Sequence, residues 1–115
     1  MQNGCQTSSN FMNKQIFNEI QTLKRQILPK EKVILFGSQA RGDAHEGSDW
    51  DLLVLLNKDK RNFIEDSNTY AYPFAEIGLK YGKTIMAMVY TTNEWENRKP
   101  SLLYKNIERD GIEIN

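Results

Sequence analysis

The sequence has few of the residues that build disulfides, metal cages and imidazole sites. Its 115 residues include one cysteine, Cys5, and one histidine, His45. A single cysteine cannot form an intramolecular disulfide, and it excludes a multi-cysteine metal site. A single histidine excludes every site that needs two imidazoles. Because His45 lies in a polar loop, we expect it to be solvated rather than catalytic.

Long apolar runs and an excess of charge of one sign are also missing. The longest apolar run, Leu52 to Leu56, is much shorter than the roughly 20 residues of a membrane helix. Fifteen basic and fifteen acidic side chains cancel, which argues against direct binding of nucleic acid or of an anionic membrane. Residues 1–10 are polar and lack the pattern of a secretory signal. We expect a cytoplasmic protein with a flexible N-terminus over residues 1–10 and one folded domain over residues 11–115.

Hydrophobic patterning predicts a two-layer domain with a small mixed sheet. Apolar residues at spacings of three and four predict a helix over residues 11–28, which Pro29 ends. Short apolar runs predict strands over residues 32–36, 50–56, 84–90 and 112–114. Further helical segments are predicted over residues 62–81, with a break or kink at Pro73, over 92–96 and over 101–108.

Gly37 and Ser38 follow the first predicted strand directly. Gly37 has no Cβ, so a ligand can approach the backbone closely. Ser38 offers a hydroxyl and an N–H group at the start of a helical turn, which is a favourable place for phosphate. Arg41, one turn later, can reach the same phosphates, although a surface salt bridge is the alternative. Taken alone, Gly37-Ser38 favours an ordinary end of a strand.

Asp49 and Asp51 lie two residues apart where the second predicted strand begins. In a strand their side chains point to the same face, with the Cα atoms roughly 6–7 Å apart. Two carboxylates on one face can hold Mg²⁺ together with waters and substrate phosphates. The alternative is that Asp49 caps a turn and Asp51 is a solvated strand residue. Together with Gly37-Ser38, the pair favours a metal–nucleotide site.

These residues resemble the signature of the DNA polymerase beta nucleotidyltransferase superfamily, in which Gly-Ser is followed by an Asp-x-Asp pair. With Phe-Gly-Ser-x-Ala-Arg-Gly over residues 36–42 and Ser-Asp-x-Asp-Leu over residues 48–52, the chain most resembles the minimal nucleotidyltransferases, or MNT proteins. These are usually encoded beside a HEPN-domain protein and act as its antitoxin. The resemblance implies an α+β fold with a small mixed sheet and helices packed on one face.

The resemblance also implies roles for individual residues. Gly37 and Ser38 would hold the terminal phosphates of ATP or another nucleoside triphosphate, and residues Arg41 and Ser48 would also bind the nucleotide. Asp49 and Asp51 would be the catalytic residues and would hold Mg²⁺. The reaction would transfer a nucleoside monophosphate to a hydroxyl and release pyrophosphate. In the antitoxin members the acceptor is a tyrosine of the HEPN toxin.

The chain departs from the family pattern at two places. Full catalysts carry a third carboxylate on a later strand, but the matching strand over residues 84–90 contains no acid. Glu76 and Glu94 lie outside it, in predicted helix and turn. Gln39 stands where many relatives have arginine. Nucleotide binding is therefore better supported than catalysis.

Three functions follow from these observations. The first is an enzyme that binds Mg-ATP and adenylylates a HEPN partner, which it thereby neutralises. The second is a non-catalytic antitoxin that masks its partner sterically, since the third carboxylate is missing. The third is a small-molecule nucleotidyltransferase, which would need a second chain to bind its substrate. The nucleotide base, the acceptor and homo-oligomer formation stay open at this point.

Overall fold

The fold is known from a computed structural model, which describes residues 3–115 and the side chains from Phe11 onward. Met1 and Gln2 lie outside the described residues, and the flexibility of residues 1–10 stays a prediction. The helices are α1 Asn3–Ile27, α2 Ser38–Arg41, α3 Phe63–Asp66, α4 Tyr72–Tyr81, α5 Thr92–Glu96 and α6 Leu102–Asp110. The strands are β1 Lys32–Phe36, β2 Trp50–Leu56, β3 Ile85–Thr91 and β4 Ile112–Glu113. The first helix thus begins at Asn3, eight residues before the predicted start at Phe11.

The four strands form one mixed sheet in the order β3-β2-β1-β4. The strands β1 and β2 are antiparallel, as are β1 and β4, whereas β2 and β3 are parallel. The pairing of β1 with β2 sets Phe36 opposite Asp51. The end of β1 therefore lies beside the beginning of β2, which brings the two parts of the sequence motif together. The predicted α+β fold with a small mixed sheet is confirmed.

The two faces of the sheet carry separate apolar clusters, because side chains alternate along each strand. Val33 and Leu35 pack on the first face against α1 and α4, which contribute the larger cluster. On the second face, Ile34 packs in a smaller cluster with Trp95 of α5 and Ile107 of α6. This second, thinner helical layer is an addition to the single layer that the sequence predicted. Asp51 shares this second face with Leu53 and Leu55 of β2, since it lies two and four residues before them.

The predicted helix over residues 62–81 is divided into three parts. Asn62 caps α3 by accepting the N–H of Glu65 at 3.0 Å. A π-helical segment, Ser67–Ala71, separates α3 from α4. Pro73 occupies the first turn of α4, where its missing N–H costs no helical hydrogen bond. The irregular segment before Pro73 is the break that the sequence predicted there.

None of the helices in residues 3–115 combines the length and apolarity needed to span a bilayer.

Candidate functional site

The bend at Gly37 connects β1 to α2 and has a backbone conformation that requires glycine. Its φ is 77° and its ψ is −158°, a region that only glycine occupies readily. A Cβ on Gly37 would also lie 2.5 Å from Oδ2 of Asp51. Two independent constraints therefore select glycine, and the second places the Asp51 carboxylate directly against the bend.

The first turn of α2 leaves backbone donors free beside this carboxylate. The N–H groups of Ala40 and Arg41 both donate to the carbonyl of Gly37 at 3.1 Å. Ser38 and Gln39 come before these donors, so their N–H groups have no helical acceptor. Gly42 then ends the helix in the left-handed conformation, with φ of 84°. The bend thus offers two N–H groups and the Ser38 hydroxyl within one turn of chain.

Asp49 and Asp51 stand at the beginning of β2 and differ in exposure. Asp49 is exposed just before the strand, whereas Asp51 is half-buried within it. Burial raises the pKa of the Asp51 carboxyl, the charge of Asp49 raises it further, and Arg41 opposes both effects. Asp49 and Arg41 are therefore close enough for their charges to act on Asp51. The predicted carboxylate pair and the predicted phosphate-binding arginine meet at the Gly37 bend.

Arg41 and Ser48 also make contacts of their own within the polar loop. Nε of Arg41 lies 3.2 Å from Oδ2 of Asp43, and 45% of the Arg41 side chain is exposed. An exposed ion pair of this kind contributes little stability, so the guanidinium can exchange Asp43 for a phosphate at small cost. The Ser48 hydroxyl accepts the N–H of His45 at 2.9 Å and closes the loop. Arg41 borders the bend together with Gly37, and the nucleotide-binding roles of Arg41 and Ser48 stay predictions.

Met86 occupies the position where a third carboxylate would complete the pair. The parallel register of β2 and β3 sets Met86 beside Asp51, on the same face of the sheet. Its side chain is 56% exposed. Glu94 is engaged elsewhere, because it forms a capping box with Thr91 and an ion pair with Arg61. Glu76 is exposed on α4, which packs on the opposite face.

The donor set fits one Mg²⁺ rather than two. The Asp51 carboxylate lies against the bend, the charge of Asp49 acts on it, and Gly37 leaves open the space that a Cβ would fill. Mg²⁺ is commonly bound by one or two carboxylates, with waters and substrate phosphates completing its shell. Among the side chains that the structure describes, from Phe11 onward, no group of three or more acidic, histidine or cysteine residues could share a metal ion. The donor set therefore suits one ion rather than two.

Sequence reasoning missed Asn106 and Asp110 of α6. They line a cavity of about 190 Å³ together with Gly37 and Arg41. Their spacing of four residues indicates one helix face, but nothing in the sequence shows which element that face meets. The pairing of β4 with β1 determines which element this helix face meets, because it brings the end of α6 to the Gly37 bend.

We predict that Asp51→Asn stabilises the metal-free protein. The raised pKa means that the ionised carboxylate is less favourable in the folded chain than in the unfolded chain, so wild-type stability falls as pH rises above about 4. At pH 7 the variant should gain about 0.5–2 kcal/mol, the range of other changes that relieve unfavourable surface charge. Thermal unfolding from pH 4 to pH 8 measures the gain, which should vanish toward pH 4.

The control is Asp59→Asn, which removes an exposed carboxylate from the turn after β2. Its effect on the melting temperature should be small at every pH. Millimolar Mg²⁺ should raise the melting temperature of the wild type and leave that of Asp51→Asn unchanged. An Asp51→Asn protein that is less stable than the wild type at pH 7 contradicts the assignment.

The family model described as nucleotidyltransferase domain matches residues 14–114. Two relatives come from Methanocaldococcus jannaschii, and both are named as candidate protein adenylyltransferases. MJ0141 is 32% identical over 106 residues, which cover 88% of this chain and 93% of the relative. MJ0604 is 33% identical over 81 residues, which cover 70% of this chain and 74% of the relative.

Two solved structures share the fold at lower identity. One is a crystal structure of a toxin–antitoxin with AMP-PNP, with a TM-score of 0.56 and 20% identity. The other is a mutant of the toxin–antitoxin MntA-HpeT, with a TM-score of 0.59 and 19% identity. Each likeness covers 86% of this chain and 72% of the solved chain. At these identities the two structures establish the fold and leave the function to other observations.

Proposed function

The chain belongs to the nucleotidyltransferase domain family, and from that premise we propose that it binds Mg-ATP at the Gly37 bend and transfers the adenylyl group to a hydroxyl of a protein partner. The partner we propose is a toxin of the HEPN type, which the chain neutralises. The named relatives support the protein acceptor, since both carry the name of protein adenylyltransferases. The toxin–antitoxin titles of the two similar structures support the kind of partner.

One observation carries the proposal, namely the closeness of Gly37 to the Asp51 carboxylate. A triphosphate needs N–H donors for its oxygens and a cation for its charge. The bend supplies the N–H donors, and Asp51 supplies a cation ligand. Its carboxylate is so close to the bend that a Cβ on Gly37 would lie 2.5 Å from Oδ2. Phosphate and metal sites are therefore adjacent, as a metal-bound nucleotide requires.

Each residue of the site has a distinct task in this proposal. The N–H groups of Ser38 and Gln39 and the Ser38 hydroxyl bind the terminal phosphates. Arg41 leaves Asp43 and binds a phosphate oxygen. Asp49 and Asp51 would hold one Mg²⁺, which would offset the negative charge of the phosphates.

The transfer itself exchanges a phosphoanhydride bond of ATP for a phosphodiester bond to the acceptor. The acceptor oxygen bonds to the α-phosphorus, the bond from that phosphorus to the bridging oxygen breaks, and pyrophosphate leaves. The acceptor proton passes to water. The protein contributes chiefly by placing the α-phosphate in line with the acceptor, because phosphoryl transfer depends on positioning and charge stabilisation.

A second candidate function is supported by the side chain of Met86. An apolar residue beside Asp51 leaves the pair without the third carboxylate that full catalysts carry, so transfer would be slow. In this version the chain masks its toxin sterically, and the bound nucleotide only stabilises the antitoxin.

The experiment that separates the two functions is intact mass spectrometry. The chain is mixed with its neighbour-encoded partner, ATP and Mg²⁺, and the masses of both proteins are recorded over time. The enzyme version predicts that the partner gains one adenylyl group per transfer event. No gain with Mg²⁺ or Mn²⁺, while the partner is still neutralised, contradicts the enzyme version and supports masking.

We predict that Met86→Asp strengthens metal binding by supplying the third carboxylate. Because Met86 is exposed and faces the same side as Asp51, the change should leave the packing of the sheet intact, while the added charge should lower the stability of the metal-free protein. Mg²⁺ affinity in the presence of ATP should rise about tenfold, since a close charge–metal contact adds more than 1 kcal/mol. Isothermal titration measures it. The matched control is Met86→Asn, whose side chain has the shape of aspartate without its charge. Equal Mg²⁺ affinities for the two variants would refute the placement of residue 86 beside the metal ligands.

A further inference from the structure

A cavity lies beside the Gly37 bend, between the bend and α6. Gly37 and Arg41 line one side, and Leu103, Asn106, Ile107 and Asp110 line the other. Its volume is about 190 Å³, which is below the roughly 300–1,000 Å³ of a complete small-molecule site. It can therefore enclose only a part of a ligand whose remainder lies on the open side of the bend.

The register of the sheet explains why Asp110 reaches the bend. Strand β4 pairs with β1, with Leu35 opposite Ile112. Asp110 ends α6 two residues before Ile112, so this pairing brings it near Gly37, with which it lines the cavity. Asp51 lies on β2, which pairs with the other edge of β1. Asp110 is thus not part of the carboxylate pair at the start of β2.

The end of α6 is fixed in this place by a close contact with the sheet. A Cβ on Gly111 would lie 2.7 Å from Cγ2 of Ile34 and 2.5 Å from the carbonyl of Ile107. Ile107 is only 2% exposed in the second apolar cluster. Because glycine allows this approach, the end of α6 packs directly against β1. Asn106 and Asp110, four residues apart, therefore face the cavity from a helix that is packed on the sheet.

Resting on the function proposed above, we propose that this cavity binds the nucleoside part of the nucleotide. In this arrangement Asp110 accepts hydrogen bonds from the ribose hydroxyls, as acidic residues do in other nucleotide sites. The Asn106 amide carries both donors and an acceptor, the combination that pairs with the edge of an adenine. Leu103 and Ile107 provide apolar contact for the base.

The charge state of Asp110 suits this role. Arg109 contacts both carboxylate oxygens, at 3.0 Å and 2.9 Å. These contacts hold the pKa of Asp110 below its ordinary value, although burial opposes them. The group is therefore ionised at neutral pH, and each oxygen keeps a second lone pair for a ligand hydroxyl.

The test compares ligands that differ only in the nucleoside. Binding of ATP, of 2′,3′-dideoxy-ATP and of inorganic tripolyphosphate is measured by isothermal titration with Mg²⁺. The variants are Asp110→Asn and Asn106→Ala, and the control is Glu108→Gln, the same acid-to-amide change on an exposed part of α6. Both variants should bind ATP about tenfold more weakly, as expected for a lost hydrogen bond to a charged or buried group. Their affinity for tripolyphosphate should change by less than about twofold.

The dideoxy nucleotide isolates the ribose contact. The wild type should prefer ATP to the dideoxy form about tenfold, and Asp110→Asn should lose this preference while Glu108→Gln keeps it. Equal losses for ATP and tripolyphosphate, or no loss for ATP, overturn the nucleoside assignment and leave the bend as the phosphate site. A wild type that binds none of the three ligands overturns both this assignment and the proposed function.

Discussion

Gly37→Ala should abolish nucleotide binding. The methyl group would enter the space of Asp51 Oδ2, 2.5 Å away, and the backbone would be strained at φ of 77° and ψ of −158°. Strain in this region costs about 1–3 kcal/mol, and displacement of the carboxylate adds to it. Because the methyl group also displaces the metal ligand by about 1 Å, we expect Mg-ATP affinity to fall by at least about 100-fold. Isothermal titration measures the affinity, and thermal unfolding measures the strain.

The matched control is Gly42→Ala, five residues along the same loop. Gly42 also has a positive φ, 84°, but a Cβ there would meet nothing within 4 Å. The control variant is therefore destabilised by backbone strain alone, about 1 kcal/mol, and it should bind Mg-ATP nearly as well as the wild type. If Gly42→Ala and Gly37→Ala lose Mg-ATP affinity equally, the contact between Gly37 and Asp51 does not explain the loss.

The double variant Asp49→Asn, Asp51→Asn should lose the Mg²⁺-dependent part of ATP binding. The amides keep the shape of the side chains but remove both charges that would hold the cation. We expect the stimulation of ATP affinity by Mg²⁺, about 100-fold or more in the wild type, to disappear. Titration with ATP in Mg²⁺ and in EDTA measures it. A second double variant, Asp59→Asn, Glu65→Gln, removes two exposed carboxylates outside the site and should keep the stimulation.

The same double variant separates the two versions of the function in cells. If the chain adenylylates its partner, loss of the carboxylates should abolish neutralisation of the toxin. If the chain masks its partner, neutralisation should survive although nucleotide binding is lost. Survival of toxin-expressing cells, with antitoxin levels checked by immunoblot, distinguishes the outcomes.

The local part of the site was predictable because it is short-range in sequence. A buried strand that ends in Gly37-Ser38 and a second strand that begins after Asp49 already indicate two adjacent chain segments. Antiparallel pairing of these strands is the one long-range step, and the structure supplies it by setting Phe36 opposite Asp51. The family match then confirms the recognition that rested on these residues.

The remaining part depends on pairings that no local pattern encodes. The approach of α6 to the bend requires the contact of Gly111 with Ile34 and the two-residue strand β4. The sequence predicts a strand over residues 112–114, but so short a strand has no pattern that identifies its pairing partner, so Asp110 could not be placed beside Gly37 from the sequence. The second helical layer was missed for a similar reason. The helices α5 and α6 are short, and they bury only Trp95 and Ile107 against that face of the sheet.

Locating the cation in a crystal structure tests most directly whether Asp49 and Asp51 bind the metal of a nucleotide. Crystals grown with Mn²⁺ and a non-hydrolysable ATP analogue would show the ion in an anomalous difference map. We predict one peak between the carboxylates of Asp49 and Asp51, with the triphosphate over the N–H groups of Ser38 and Gln39. A nucleotide bound elsewhere, or an ion that contacts neither aspartate, would contradict it.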